Sequence, residues 1–378
     1  MKSSLNAICR AKGFKASACA CGLKKNNRLD LALIYSEVPA LACGMFTKNK
    51  IIAHPVKICK ERLKSRRAQA IVVNSGNANC YTGKRGRAIA ERTTALSAGL
   101  LKIPRERVLI SSTGIIGKVP DFAKIRSAIP GLVHYLNYKE GSRAAEAIMT
   151  TDTHPKEFLR RVSIGETIVT IGAIAKGVGM IAPNMATMLC FITTDAAIEY
   201  PALKAALKEA VGKSFNMITI DGCMSTNDSV IIMANGLAKN KAIKRQDPDF
   251  ARFSKALSEV CLNLARMIIL DAEGATKFIT IEVSGARNNQ QAKQAALSVA
   301  NSNLFKTAVY GENRNLGRVI AAVGSSGVEV KEDASVKCSS LKNKFVKVRV
   351  DLKTGSGTAR VYTSDLTPEY IRINAEYN

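Results

Sequence analysis

Fourteen residues in the middle of the chain, Lys176-Gly177-Val178-Gly179-Met180-Ile181-Ala182-Pro183-Asn184-Met185-Ala186-Thr187-Met188-Leu189, restrict its fold more than any other stretch. An apolar run, Ile168 to Ala175, leads into them, and another, Met188 to Ile192, follows. Between the runs sit two glycines, a proline and an asparagine, which belong to turns rather than to strand or helix interiors. The chain is therefore expected to leave one buried strand, turn irregularly and enter a second. Thr187, preceded by the small Ala186, stands where the turn gives way to the second strand. A threonine there is ordinarily a β-branched residue with good strand propensity. The chemical alternative needs a base beside its weakly nucleophilic hydroxyl, and the free α-amine of an N-terminal threonine is one such base. That amine has a reference pKa of about 7.7–8.0, so much of it is unprotonated near neutrality. Rupture of the Ala186–Thr187 bond would thus make Thr187 the nucleophile of an acyl-transfer enzyme. The letters G-x-G-x-x-A (Gly177, Gly179, Ala182) also match a dinucleotide fingerprint, which requires a helix to open at its end. Pro183-Asn184 followed by Met188 to Ile192 reads as turn then strand, so that geometry is missing.

Periodicity and turn signals supply the other elements. Leu31 to Ser36 and Ala42 to Phe46 read as two strands, Ala70 to Val73 and Val108 to Ser111 as short buried ones. A helix is expected from Pro55 to Leu63, with proline at its first position, where the missing N–H costs nothing. Gly83 to Leu101 reads as a helix turning Ile89, Leu96 and Leu100 inward, and Ala144 to Met149 as a shorter one. Val162 to Ile164 and Thr167 to Ala175 pair across Gly165-Glu166 as a hairpin. Pro201 to Ser214 is amphipathic through Leu203, Ala206, Leu207 and Ala210. A long helix begins at Asp247-Pro248 and runs with Phe250, Phe253, Leu257, Val260, Cys261, Leu264 and Ile268 on one face. Phe278 to Val283 alternates as a strand, Gln291 to Val309 is mostly helix, and Phe345 to Val350 returns through Gly355-Ser356-Gly357 as Ala359 to Tyr362, a hairpin.

The central stretch resembles the self-cleavage region of the ornithine acetyltransferase family (ArgJ), which reads K-G-x-G-M-I-x-P-N-M-A-T-M-L. The likeness continues along nearly the whole chain. Asn74 to Asn79 resembles the family's N-S-G-N-A-N loop, Ser112 to Gly117 its S-T-G-x-I-G segment, and Met149 to Thr153 its M-T-T-D-T. Ser214 to Asp228 is similar to S-F-N-x-I-T-x-D-G-x-x-S-T-N-D, with Cys223 and Met224 where many members carry Asp-Thr. Ala272 to Lys277 resembles G-E-G-A-T-K with Ala272 for the first glycine, and Gly311 to Arg318 resembles G-E-D-P-N-W-G-R with Leu316 for tryptophan. The chain ends Asn374-Ala375-Glu376-Tyr377-Asn378 and lacks the Ser or Thr that closes the family's N-A-E-Y-x-[ST].

The resemblance implies a fold, a reaction and a set of site residues. The fold is α/β (α+β), a layered αββα sandwich of the self-processing DmpA/ArgJ type with a C-terminal α/β subdomain from about residue 286. Alternating strands and helices agree with it without selecting it. Cleavage between Ala186 and Thr187 implies segments 1–186 and 187–378, assembled as a heterotetramer of two of each. Thr187 is the implied nucleophile, with Thr113 and Gly114 as the oxyanion hole. Donors aimed in advance at the tetrahedral oxyanion are worth roughly 2.7–4 kcal/mol each. Thr153, Lys176, Thr187, Glu273 and Asn374 are the implied substrate-binding residues: Lys176 suits a carboxylate and Glu273 an ammonium. The implied reaction is ping-pong transfer of acetyl from N2-acetyl-L-ornithine to L-glutamate, in arginine biosynthesis and in the cytoplasm. No bound cofactor or metal is implied, and acetyl-CoA is left open as a second donor.

Composition limits the rivals. At 378 residues, 47% hydrophobic and 23% charged, the chain has the material for a large core or two. No apolar run reaches the ~18 residues that span a bilayer, and Met1 to Phe14 lacks the apolar centre of a secretory signal. The ten cysteines form no C-x-x-C and have no histidine at ligand spacing, so zinc is not expected, and most read as small buried hydrophobes. The net charge of +26 is spread along the chain, with modest clusters at Lys60 to Arg67 and Lys239 to Arg245. It leaves a nucleic-acid-binding protein as one rival, although no RNA-binding aromatic motif accompanies it. A self-cleaving amidase or peptidase using the same threonine is the other. His154 reads as an incidental loop residue, since no G-x-S-x-G elbow exists to pair with it.

Overall fold

The computed structural model describes residues 5–182 and 188–376, so the proposed scissile pair Ala186 and Thr187 lies outside the described residues. The described chain forms two units, one of residues 5–177, 188–214 and 225–264, the other of residues 178–182, 215–224 and 265–376. In the first unit the elements run β1 (Phe14–Cys19), β2 (Leu31–Phe46), α1 (His54–Arg62), β3 (Arg67–Asn74), α2 (Gly83–Leu101), β4 (Val108–Ser112), α3 (Phe122–His134) and α4 (Gly141–Ala147). They continue as β5 (Lys156–Ile164), β6 (Thr167–Lys176), β7 (Leu189–Thr194), α5 (Tyr200–Lys213), β8 (Ser229–Ala234) and α6 (Pro248–Leu270), whose last turn enters the second unit.

These strands make an eight-stranded sheet ordered β4-β3-β2-β8-β7-β6-β5, with β1 also on β2. The two strands expected between Leu31 and Phe46 are one strand that changes partners. Its first half pairs with β1 and β3, and Leu41 to Phe46 pairs with β8. The register against β3 shifts between Tyr35 and Ala40, around Pro39, which has no N–H to give a ladder. The halves of the sheet share one apolar core: Phe14, Ile34, Ile71 and Leu109 from one, Ile174, Phe191, Ile231 and Met233 from the other. Helices α2 and α3 cover the outer face of the first half through Ala98, Ile125, Ile129 and Leu132. On the second half α5 packs on β2 and Cys261 of α6 lies near Cys190 of β7. The layering is helix, sheet, sheet, helix, as expected.

One helix face differs from its expectation. On α2, Ile89 and Leu96 are half-buried and Leu100 is exposed, while Gly86, Ala90, Thr93, Thr94, Ser97 and Ala98 are buried. Close approach decided this: a Cβ on Gly86 would meet Thr82 Oγ1 at 1.9 Å, and Arg62 reaches in to donate to Thr94 Oγ1 at 2.9 Å.

The second unit runs β9 (Phe278–Ala286), α7 (Asn289–Ala300), α8 (Asn303–Tyr310), α9 (Gly317–Gly324), β10 (Ser335–Cys338), β11 (Phe345–Asp351), β12 (Gly357–Ser364) and α10 (Pro368–Ala375). The helix expected over 291–309 is two helices, because Ser302 caps a new one by accepting from Phe305 N. The expected hairpin of β11 and β12 does not form. The sheet order is β10-β11-β9-β12, with β9 parallel to β11 and antiparallel to β12. β9 supplies Ile279, Ile281 and Val283 to the core under α7 to α9. The connection from β11 bonds across its end, Leu352 N to Ser284 O at 3.0 Å and Gly355 N to Gly285 O at 2.9 Å. Among the described residues no helix is long and apolar enough to cross a membrane.

Gly172 on β6 meets the N-terminal 3-10 turn Ala7–Cys9, where an added Cβ would lie 1.8 Å from the Ala7 carbonyl oxygen. That neighbour is backbone and cannot swing aside. Gly172→Ala is expected to lose ~1–3 kcal/mol or more of stability through overpacking, read as a lower urea midpoint at unchanged slope.

Candidate active site

At the end of β4 the chain reaches Thr113, buried, and Gly114, whose φ is +126°. A Cβ on Gly114 would lie 2.5 Å from the Gly76 carbonyl carbon and 2.6 Å from Asn77 N, so only glycine admits the 74–79 loop here. That loop is tied down by Thr113 N to Asn74 O, 3.0 Å, and Ser112 Oγ to Asn74 Oδ1, 2.5 Å. Asn227 Nδ2 adds bonds to Ala78 O, 2.6 Å, and Ser112 O, 2.9 Å.

Lys176 is the last residue of β6, and its buried ammonium lies 2.8 Å from Thr150 Oγ1 and 3.4 Å from Thr113 Oγ1. It also lies 3.8 Å from Asp152 Oδ2. Asp152 takes Lys156 Nζ and Gly177 N, each at 2.8 Å, on Oδ1, and Thr150 N at 3.0 Å on Oδ2. Burial opposes its charge, but Lys176 and Lys156 outweigh burial and hold its carboxyl well below the usual range. Burial pushes nearby Lys24 down to about 8. Asp228 behaves oppositely. It is fully buried, Oδ1 accepts Met188 N at 3.0 Å, and Oδ2 has no hydrogen-bond partner among the described residues. Burial raises its pKa well above the usual carboxylate value, against the opposing pull of the Met188 N–H and Lys176.

The second unit carries a separate cluster. Glu273 follows α6, and its N–H donates to Val178 O at 3.0 Å. Its carboxylate lies over Gly179, where a Cβ would come within 2.5 Å of Oε2. Asn374 on α10 donates to Glu273 Oε2 at 2.9 Å. Gly274, φ +65°, lets α10 dock: a Cβ there would be 2.5 Å from Tyr370 N, and Thr367 Oγ1 donates to Gly274 O at 2.7 Å.

Comparison with known proteins decides the kinship. The model of the ArgJ family matches residues 15–340 and 332–378. The arginine biosynthesis bifunctional protein ArgJ of Geobacter sulfurreducens is 46% identical over 388 residues, 97% of this chain and 99% of that one. The chain belongs to the ArgJ family. The ArgJ protein of Shouchella clausii is 42% identical, over 100% of this chain and 97% of its own. A crystal structure of the Bacillus halodurans ArgJ, 42% identical, aligns with 50% of this chain and 98% of that one at a TM-score of 0.48.

Within this chain, Lys176 and Thr113 are brought together, and so, in the other unit, are Glu273 and Asn374. Thr153 is exposed, its hydroxyl 2.9 Å from His154 Nδ1. Thr150 and Asp152, not singled out from the sequence, contact Lys176 directly; they lie inside the T-T-D-T run, which gave no means of ranking its members. Cys223 is exposed, and burial together with Asp221 raises its thiol pKa, so it is not an activated nucleophile. Leu316 caps α9.

Replacing Asp152 with Asn leaves two buried ammonium groups without their carboxylate, and loss of one partner from a buried pair costs ~3–5 kcal/mol. Its folded pKa is depressed, so its contribution is complete above the unfolded value of about 3.9 and is lost as pH falls below it toward the folded value. Denaturant unfolding at neutral pH and near pH 3 should show Asp152→Asn much weaker than wild type at the first and closer to it at the second.

Proposed function

We propose that this member of an arginine-biosynthesis family of acyltransferases is a glutamate N-acetyltransferase, moving acetyl from N2-acetyl-L-ornithine to L-glutamate through an acetyl-threonine at Thr187. The observation that carries the reading is the Lys176–Thr113 contact. An ammonium can only donate, so Lys176 occupies a lone pair of Thr113 Oγ1 and leaves the hydroxyl proton to be given elsewhere. A hydroxyl oriented in that way, beside a glycine that admits close backbone approach, is the donor set an oxyanion needs.

The steps follow from balance. Water is added across the Ala186–Thr187 amide, leaving a carboxylate on Ala186 and freeing the α-amine of Thr187. That amine takes the Thr187 hydroxyl proton as Oγ attacks the acetyl carbonyl. The oxyanion forms against Thr113 and Gly114 and collapses with expulsion of the ornithine amine, which receives the proton. Glutamate's amine then attacks the acetyl ester by the reverse path. General acid–base assistance of this kind is worth ~10²–10⁴-fold. Glu273 suits the substrate ammonium and Lys176 a carboxylate; Thr153 and Asn374 belong to the same substrate-binding set. A cytoplasmic assembly of two N-terminal and two C-terminal fragments is part of this reading.

An intact-mass spectrum of the purified protein should give fragments 1–186 and 187–378, with an acetyl group added to the second after incubation with acetylornithine. Thr187→Ala should abolish both cleavage and transfer; a Thr187→Ala protein that still moved acetyl would overturn the reading. Glutamate, water and acetyl-CoA in parallel arms separate a transferase from a hydrolase and test the second donor.

Gly179→Ala tests the substrate role of Glu273. The atom displaced is the end of a flexible side chain, so the fold should survive while the carboxylate swings away. KM for acetylornithine should rise roughly tenfold or more, the scale of the ~1.5–3 kcal/mol of a hydrogen bond to a charged group, with the thermal midpoint little changed.

A further inference from the structure

The densest set of polar contacts outside the groups already assigned a role gathers on Asp221. Its Oδ2 accepts Met180 N at 2.6 Å, and its Oδ1 accepts Ile181 N at 3.0 Å and Cys223 N at 3.0 Å. Tyr370 on α10 donates its hydroxyl to Oδ2 at 3.3 Å. The Cys223 bond alone would be a local turn. The bonds to Met180 and Ile181 cross 41 and 40 residues of chain and join separate segments.

The surroundings lock those segments together. Ile181 O accepts both Ile220 N, 2.8 Å, and Thr219 Oγ1, 3.0 Å. Buried Lys306 on α8 donates to Ile220 O, which fixes the residue before Asp221. Met180 stands at φ +49°, a left-handed conformation that is unfavourable for a non-glycine residue. Its side chain is exposed, so side-chain packing does not impose that conformation. The backbone contacts do, and Asp221 receives the N–H of the strained residue itself.

We propose that Asp221 is a positioning residue for chain cleavage: it fixes the Met180–Ile181 backbone, five residues ahead of the Ala186–Thr187 bond, and Tyr370 orients its carboxylate. This rests on the reading of Ala186–Thr187 as the processed bond. Asp221 acts through the backbone N–H groups of Met180 and Ile181, limiting the path of the chain that leads to that bond. Tyr370 sits one helical turn before Asn374, whose Nδ2 donates to Tyr370 O at 2.9 Å. The helix that carries a proposed substrate residue is thereby tied to the segment that precedes the cut.

The test follows cleavage of the full-length chain with time in cell-free synthesis, by gel and intact mass. Wild type, Asp221→Asn, Asp221→Ala, Tyr370→Phe and the Asp221→Ala/Tyr370→Phe double variant are compared. Asp221→Ala should slow cleavage roughly tenfold to a hundredfold, the scale on which small misplacements act. Asp221→Asn keeps the Oδ1 acceptor and should recover part of the rate. Tyr370→Phe should slow cleavage by less, and the double variant should be no slower than Asp221→Ala, since the two act through one contact. A merely structural role predicts losses that track thermal midpoints and add in the double variant, and that pattern would overturn the proposal. So would a folded Asp221→Ala that cuts at the wild-type rate. If Asp221→Ala does not fold, wild-type rates in both Asp221→Asn and Tyr370→Phe overturn it. A wild-type chain that stays whole ends the reading of the processed bond and this proposal with it, whereas a cut wild type with unaffected variants ends this proposal alone.

Discussion

Holding a carboxylate and two ammonium groups out of water at one point is the constraint on which the first unit's chemistry depends. Asp152, Lys156 and Lys176 have side chains that are almost wholly buried. Desolvation of such groups is often repaid only in part, so buried pairs are poor evidence of stability. What this cluster provides is position. Asp152 holds the N–H of Gly177, the first residue beyond β6, and the ammonium of Lys156, the residue at which β5 begins. With both ends held, Lys176 reaches Thr150 and Thr113. The orientation of the Thr113 hydroxyl is therefore set by a charge balance of three residues, which no single side chain could impose.

In the second unit, absent side chains do the corresponding work. Gly179 leaves room for the Glu273 carboxylate, and Gly274 for the first turn of α10. Asn374 reaches Glu273 because α10 begins against Gly274, so the two polar groups meet as a consequence of one missing Cβ. A larger residue at Gly179 would push the carboxylate itself aside, and one at Gly274 would displace the start of α10.

Much of this was legible in the chain itself. Local features carried α5, the hairpin of β5 and β6, the long α6 and the break after Lys176, because each is written in periodicity and in Gly, Pro and Asp at its ends. What failed is non-local. Nothing near Phe345 or Tyr362 reveals that β9, some sixty residues earlier, will lie between them. The buried face of α2 was misread because hydrophobicity points to Ile89 and Leu100, whereas Gly86, Ala90 and Thr94 win by allowing close approach. The interleaving of residues 178–182 and 215–224 into the second unit is of the same kind. At the site, resemblance supplied Lys176, Thr113, Glu273 and Asn374 as separate residues. Only coordinates add that Asp152 balances two lysines, since one Asp among Thr150 to Thr153 looks like turn chemistry.

The cut proposed above falls in the connection between two strands that the sheet holds independently of each other. β6 and β7 are antiparallel neighbours, with Lys176 opposite Leu189, so the ends of the connection between them are fixed by ladder bonds across the pair. Each strand has a second partner as well, β5 for β6 and β8 for β7. Opening a connection whose ends are already held elsewhere leaves the ladder bonds of both strands in place and gives up the covalent closure, whose entropic weight changes slowly with length. The same cut between α1 and β3, where the intervening chain packs Leu63 into the core, would free an end that the fold needs. A chain that creates its nucleophile by breaking itself has to break where the two new ends are already held by their neighbours, and the junction of β6 and β7 satisfies that requirement on both sides.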